Sequence, residues 1–113
     1  MSRHDYVTPR ALVRILDVMH QAPWGDLYRR ALPLAGVDGT ISSRMKNTPA
    51  AGNANAKTGT LDKARSLSGY VNTADGHLII FSMMCNSFTV PTREVERVQD
   101  LLVSTIAGMR VVP

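Results

Sequence analysis

Lys57-Thr58-Gly59-Thr60 brings an ammonium, two hydroxyls and a residue without a side chain onto one short segment that reads as extended chain. Lys57 is a fixed positive charge that can stabilise a substrate carboxylate and steer protons near a serine nucleophile. The hydroxyls of Thr58 and Thr60 can bind a terminal carboxylate, and Gly59 lets a peptide backbone approach without meeting a side chain. On an exposed edge strand, the free backbone N–H groups of such a segment align an extended peptide as an added strand. A bare triplet also suits ordinary solvated residues of an edge strand.

Other reactive side chains are less well placed. The one formal Ser-x-x-Lys is Ser43-Arg44-Met45-Lys46, and Asn47-Thr48-Pro49 breaks any helix directly after it. The long helix that would hold a serine and a lysine rigidly is therefore not expected, and a surface turn in front of a loop is. Cys85, the sole cysteine, follows an apolar run and reads as a buried, inert thiol. His4, His20 and His77 are far apart and lack ligand spacing, so neither a metal nor a cofactor is expected. Asp62 is expected to pair at the surface with Lys63 or Arg65, and Trp24, Tyr28 and Tyr70 to serve as core or interface aromatics.

The elements that must position these groups follow from pattern. Thr8-Pro9 starts a helix, with a hydroxyl cap and proline at the first helical position. Leu12, Ile15, Leu16 and Met19 predict its buried face, and Gln21-Ala22-Pro23 ends it. A second short helical piece is expected over Trp24 to Leu32, then breakers with a turn at Asp38-Gly39, then a short helix and loop within Ser42 to Ala56. Residues 55–61 and Ser66 to Asn72 read as strands, Asp75-Gly76 as a tight turn, and Leu78 to Cys85 as a strand buried on both faces. Thr92 to Ala107 predicts an amphipathic helix whose apolar stripe is Val95, Val98, Leu102 and Ile106. The expected class is α+β: a three-stranded antiparallel meander packed against an N-terminal and a C-terminal helix.

A chain of 113 residues with 44% hydrophobic content is enough for one small domain. The formal charge of +4 is scattered, without basic runs or aromatic interleaving, so no nucleic-acid partner is expected. The longest apolar run, Leu78 to Cys85, is too short to span a bilayer, and the first residues carry no secretory signal pattern.

Leu34 to Thr40, Arg44-Met45, Thr48-Pro49-Ala50, Ala56 to Leu61 and Leu67 to Val71, with Val7 to Leu12 before them, occur in the order seen in one group of proteins. Over nearly its whole length the chain resembles the C-terminal part of the penicillin-binding D-alanyl-D-alanine carboxypeptidases/endopeptidases of peptidase family S13. The resemblance implies that residues 1–113 are a C-terminal fragment of a transpeptidase/β-lactamase-like domain, periplasmic or envelope-located in the parent. It implies that Lys57 is catalytic, that Thr58, Gly59 and Thr60 bind substrate, and that the Thr60 N–H is an oxyanion-hole donor. The implied partners are a peptidoglycan peptide ending in D-Ala-D-Ala and, in the intact parent, β-lactams.

The chain departs from the family pattern in having no Ser-x-Asn, and in a Ser-x-x-Lys that lies only a few residues before Lys57. In the family the nucleophile precedes the other motifs by a long stretch. The expected function is therefore the Lys-Thr-Gly wall of a serine-type carboxypeptidase, with the isolated chain inactive. The alternative is a non-catalytic module that binds peptidoglycan peptides. Three strands with one helix over them leave a sheet edge and apolar surface uncovered, so a homo-oligomer is expected.

Overall fold

The computed structural model describes residues 8–61, 64–85 and 91–111. Helix α1 spans Pro9–Gln21; the Thr8 hydroxyl accepts from the Ala11 N–H at 3.1 Å and proline opens the first turn. Helix α2, Gly25–Ala31, folds back on α1. That reversal requires glycine at position 25, because a Cβ there would collide with the backbone carbonyl of His20.

Three antiparallel strands follow in the order β1 (Asn55–Leu61), β2 (Ala64–Asn72), β3 (Leu78–Cys85), with β2 beginning two residues earlier than the sequence pattern suggests. The register sets Lys57 opposite Ser68 and Gly59 opposite Ser66, while Ser68 in turn faces Ser82. Asp75-Gly76 makes the β2–β3 turn, with Gly76 at φ 86°. The Thr73 hydroxyl donates to Asp75 at 2.6 Å and accepts from the His77 N–H at 3.0 Å. These bonds close the turn, and the Thr73 hydroxyl, with a smaller contribution from His77, holds the Asp75 carboxyl well below the usual carboxylate range.

Successive strand residues point to opposite faces, so the sheet has two distinct sides. One side carries Ala56, Leu67, Val71 and Phe81, which form the main core with Ile41, Met45 and, from helix α3 (Thr92–Gly108), Val103 and Ala107. The other side is covered by α1, where the buried Tyr70 hydroxyl donates to the Leu16 carbonyl at 2.6 Å. Burial pushes the Tyr70 phenol above its ordinary value. The layering is helix, sheet, helix, in the α+β class read from the sequence.

Several expectations require correction. On α1 only Leu16 is buried, and Ile15 is 51% exposed, because α1 rests on the sheet along a narrow ridge. On α3 the buried ridge is Val95, Gln99, Val103 and Ala107, so Val98 (58% exposed) and Leu102 (48%) face outward. A polar Gln99 concealed this spacing of four residues; its amide donates to the Arg65 carbonyl at 3.3 Å, which makes its burial tolerable. Strand β3, an edge strand among the described residues, is half-buried apart from Phe81, and Cys85 at its end is half-buried rather than buried. The strand buried throughout its middle is β2.

Trp24 and Tyr28 meet edge to face near the surface, with centroids 6.3 Å apart, whereas Tyr70 is in the core. No short α-helix follows Ser42. The helical turn is a 3₁₀ turn at Gly39–Ile41, and Met45 (φ 62°) and Asn47 (φ 61°) adopt left-handed conformations that stop any helix in between. The expected Asp62 pairing lies outside the described residues, as does His4. No helix among the described residues is long and apolar enough to cross a membrane.

Candidate active-site strand

Strand β1 has β2 on one edge, and among the described residues its other edge is closed only at the start. The Ala35 N–H donates to the Ala54 carbonyl at 2.9 Å, and the Ala56 N–H donates to the Pro33 carbonyl at 3.0 Å. Between these bonds Leu34 forms an isolated antiparallel bridge with Asn55. Backbone groups alternate between the two edges of a strand, so the amides of Thr58 and Thr60 leave β1 on the same side as that of Ala56. No backbone group among the described residues accepts from them.

The four motif residues divide between the two faces. Lys57 is exposed and, among the described residues, makes no hydrogen bond or ion pair. It shares its face with Ser68 and Ser82, whose hydroxyls lie 2.9 Å apart. Thr58 lies on the α3 face and is half-buried; its hydroxyl donates to the Thr40 hydroxyl at 3.2 Å. Thr60 is exposed. A Cβ on Gly59 would run into the Ser66 hydroxyl, so the absence of a side chain serves packing against β2.

Beside Thr58 and Thr60 lies a polar recess of about 110 Å³ whose walls include Thr40, Arg44, Arg65, Glu96 and Gln99. Its positive charge is balanced. The Nε and Nη2 of Arg44 donate to Asp100 Oδ1 at 2.9 and 2.6 Å, Nη2 donates to Gln99 at 3.2 Å, and Nη1 lies 3.8 Å from Glu96. Arg65 donates to the Thr92 hydroxyl at 3.4 Å. Individual sequence patterns gave no role to Thr40 or Arg44; their only signal was membership of the ordered segments around Lys57.

Ser43 and Lys46 do not join this strand. Both are exposed, they flank the left-handed Met45, and they border a groove along α3. A serine and lysine three apart face each other on a helix, and this segment is not helical.

Comparison with known proteins bears on the family and the fold. The D-Ala-D-Ala carboxypeptidase 3 (S13) family profile matches residues 1–107. A D-alanyl-D-alanine carboxypeptidase of Actinomadura sp. is 38% identical over 96 residues, which is 80% of this chain and 18% of that protein. Penicillin-sensitive carboxypeptidase A of Dictyostelium discoideum is 30% identical, over 91% of this chain and 21% of its own length. Among solved structures, penicillin binding protein 4 of Haemophilus influenzae superposes with a TM-score of 0.83 at 26% identity, covering 96% of this chain and 26% of that one. The chain thus spans about a fifth of the length of these curated relatives. The helix-flanked meander is part of a transpeptidase/β-lactamase-like fold, and with a profile match running through both α1 and the Lys57 strand, the chain belongs to the D-Ala-D-Ala carboxypeptidase 3 (S13) family.

Proposed function

We propose that this chain supplies the substrate-binding strand of a serine-type D-Ala-D-Ala carboxypeptidase acting on peptidoglycan peptides in the cell envelope, and that residues 1–113 by themselves are catalytically inactive. The observation that carries this reading is the edge of β1 left open by the described residues, where Thr58 and Thr60 offer amides beside Lys57, which has no hydrogen-bond or ion-pair partner among them. An extended peptide adds to that edge as a fourth strand, with Lys57 and the threonine hydroxyls receiving its carboxylate. The Thr60 N–H then polarises the scissile carbonyl, as an oxyanion-hole donor does.

On this reading, the serine that would attack this carbonyl, the lysine that would take its proton and a Ser-x-Asn lie outside residues 1–113. Attack forms an acyl-enzyme and releases D-alanine or a cross-linked peptide, and water then cleaves the ester. Non-helical Ser43 to Lys46 is the observation against a nucleophile within this chain.

The test is incubation of the 113-residue protein with a fluorescent penicillin, followed by denaturing electrophoresis and intact mass. No covalent adduct is expected. Stoichiometric labelling that disappears in Ser43→Ala would overturn the inactive reading. Reversible binding of a D-Ala-D-Ala peptide that weakens in Lys57→Ala supports the strand's role, and the same affinity in both proteins removes Lys57 from it.

A further inference from the structure

We propose that the Pro33–Ala35 bridge is an end stop on the β1 edge, so that this edge admits a terminal residue with a free carboxylate and rejects one whose carboxyl group is itself extended in bulk. The proposal rests on the substrate-strand reading above and adds to it a determinant of which part of a peptide can bind.

The geometry is local and directional. The carbonyl of Ala54 and the N–H of Ala56 are already used by Ala35 and Pro33, so the ladder available to a ligand begins only after Ala56. The bridging segment runs antiparallel to β1, with Leu34 opposite Asn55. Continued in register, it would set Leu32 beside Lys57, but Leu32 is the C-cap of α2 and the chain turns away there. Helix α2 packs on α1, and the amides of Thr58 and Thr60 have no backbone acceptor among the described residues, although the Gly39–Ile41 turn packs beside Thr58.

The stop is held from behind. The Leu34 N–H points away from β1 and donates to Asp38 Oδ1 at 2.7 Å. Gly39, at φ 64°, packs against the Pro33 ring so closely that a Cβ would collide with it. The next residue, Thr40, holds the Thr58 hydroxyl at 3.2 Å. One turn therefore fixes both the blocked end of the edge and the first threonine beyond it.

Lys57 is the residue at the boundary, and its ammonium sets the ligand's direction. A carboxylate drawn to Lys57 sits against the stop, and the peptide then runs toward Thr60, antiparallel to β1. Bulk on the carboxyl side would have to occupy the space already filled by Pro33 and Leu34.

The test uses the 113-residue protein and three N-acetyl-L-Lys-D-Ala-D-Ala peptides, ending in a free carboxylate, a primary amide and a tert-butylamide, titrated against amide NMR shifts of Thr58 and Thr60. The two amides carry the same charge, so their difference reports the stop, while carboxylate against primary amide reports Lys57. The expected result is binding of the carboxylate and, more weakly, of the primary amide, with a roughly tenfold or greater loss for the tert-butylamide. Equal affinities for the two amides overturn the stop, and no binding of any of the three overturns the substrate-strand reading itself.

Asp38→Ala releases the Leu34 N–H and is expected to shrink the discrimination between the amides; a folded variant with unchanged discrimination overturns the role of the bridge. Hydrogen exchange on the unaltered protein decides the point independently where that variant does not fold. Slow exchange at Ala35 and Ala56 with fast exchange at Thr58 and Thr60 is expected, and equally fast exchange at all four removes the stop.

Discussion

Arg44 donates two hydrogen bonds to one carboxylate oxygen of Asp100, 56 positions further along the chain. The pair fastens the loop that carries Thr40 to the helix behind the sheet. Its side chains are mostly buried, with 11% and 22% of their surface exposed, so both charges depend on each other for solvation.

Removing the guanidinium by Arg44→Ala strands Asp100, and leaves Gln99 without one partner. The expected loss is about 2–4 kcal/mol in urea unfolding. Arg44→Lys keeps the charge but not the fork that reaches Asp100 and Gln99 together, and should recover only part of it. A loss below about 0.5 kcal/mol for Arg44→Ala would show that the clasp contributes nothing to stability.

Tyr70→Phe deletes the buried bond to the Leu16 carbonyl while preserving the ring, and should cost about 1–2 kcal/mol. The intact phenol also makes stability pH-dependent. Its folded-state pKa is raised above the ordinary 10.0, chiefly by burial, so the neutral form is favoured in the folded chain. That contribution is fully present below about pH 10 and is lost as pH rises through the folded value. Melting curves at increasing alkalinity should therefore converge for the two proteins, and parallel curves would remove Tyr70 as the source.

Asp75 acts at the opposite end of the pH scale. Its folded-state pKa lies below the ordinary 3.8, first because the Thr73 hydroxyl donates to it and secondarily through bonds from the Val111 backbone and His77. Its contribution is present above the ordinary value and is lost as pH falls toward the folded one. Asp75→Asn should flatten the acid limb of a stability-against-pH curve. An unchanged slope would mean that other carboxylates govern acid unfolding.

What was legible in the chain was what depends on near neighbours. Thr8-Pro9 announces α1 through its own hydroxyl and ring, Asp75-Gly76 announces a turn through its own backbone freedom, and alternation marks β2. The ordered segments around Lys57 likewise identified the strand and the family. What was hidden depends on residues arriving from elsewhere. Gln99 looks like a surface residue until Arg44 and Arg65 are beside it. Leu34 sits among breakers, and only folding brings it to Asn55. The outward-facing Val98 and Leu102 mislead for the same reason, since a helix face is apolar both where it meets this sheet and where it does not.

Gly69 offers the most direct test of how tightly β2 supports the candidate site. It lies opposite Ala56, at the residue before Lys57, and a Cβ there would collide with the Asn55 carbonyl and lie 2.6 Å from the Ala56 Cα. Those are backbone atoms of the strand that carries the motif, so neither can rotate aside. Gly69→Ala must push β1 outward, and a cost of roughly 1–3 kcal/mol is expected for an overpacked interior site. Displacement should also disturb the bridge to Leu34 and the amides of Thr58 and Thr60, visible as shift changes in both segments. Gly59→Ala makes the contrast: the obstructing atom is the Ser66 hydroxyl, which can turn away, so the stability cost should be smaller. Equal costs at the two positions would show that the β1–β2 contact at Ala56 is not the tight one.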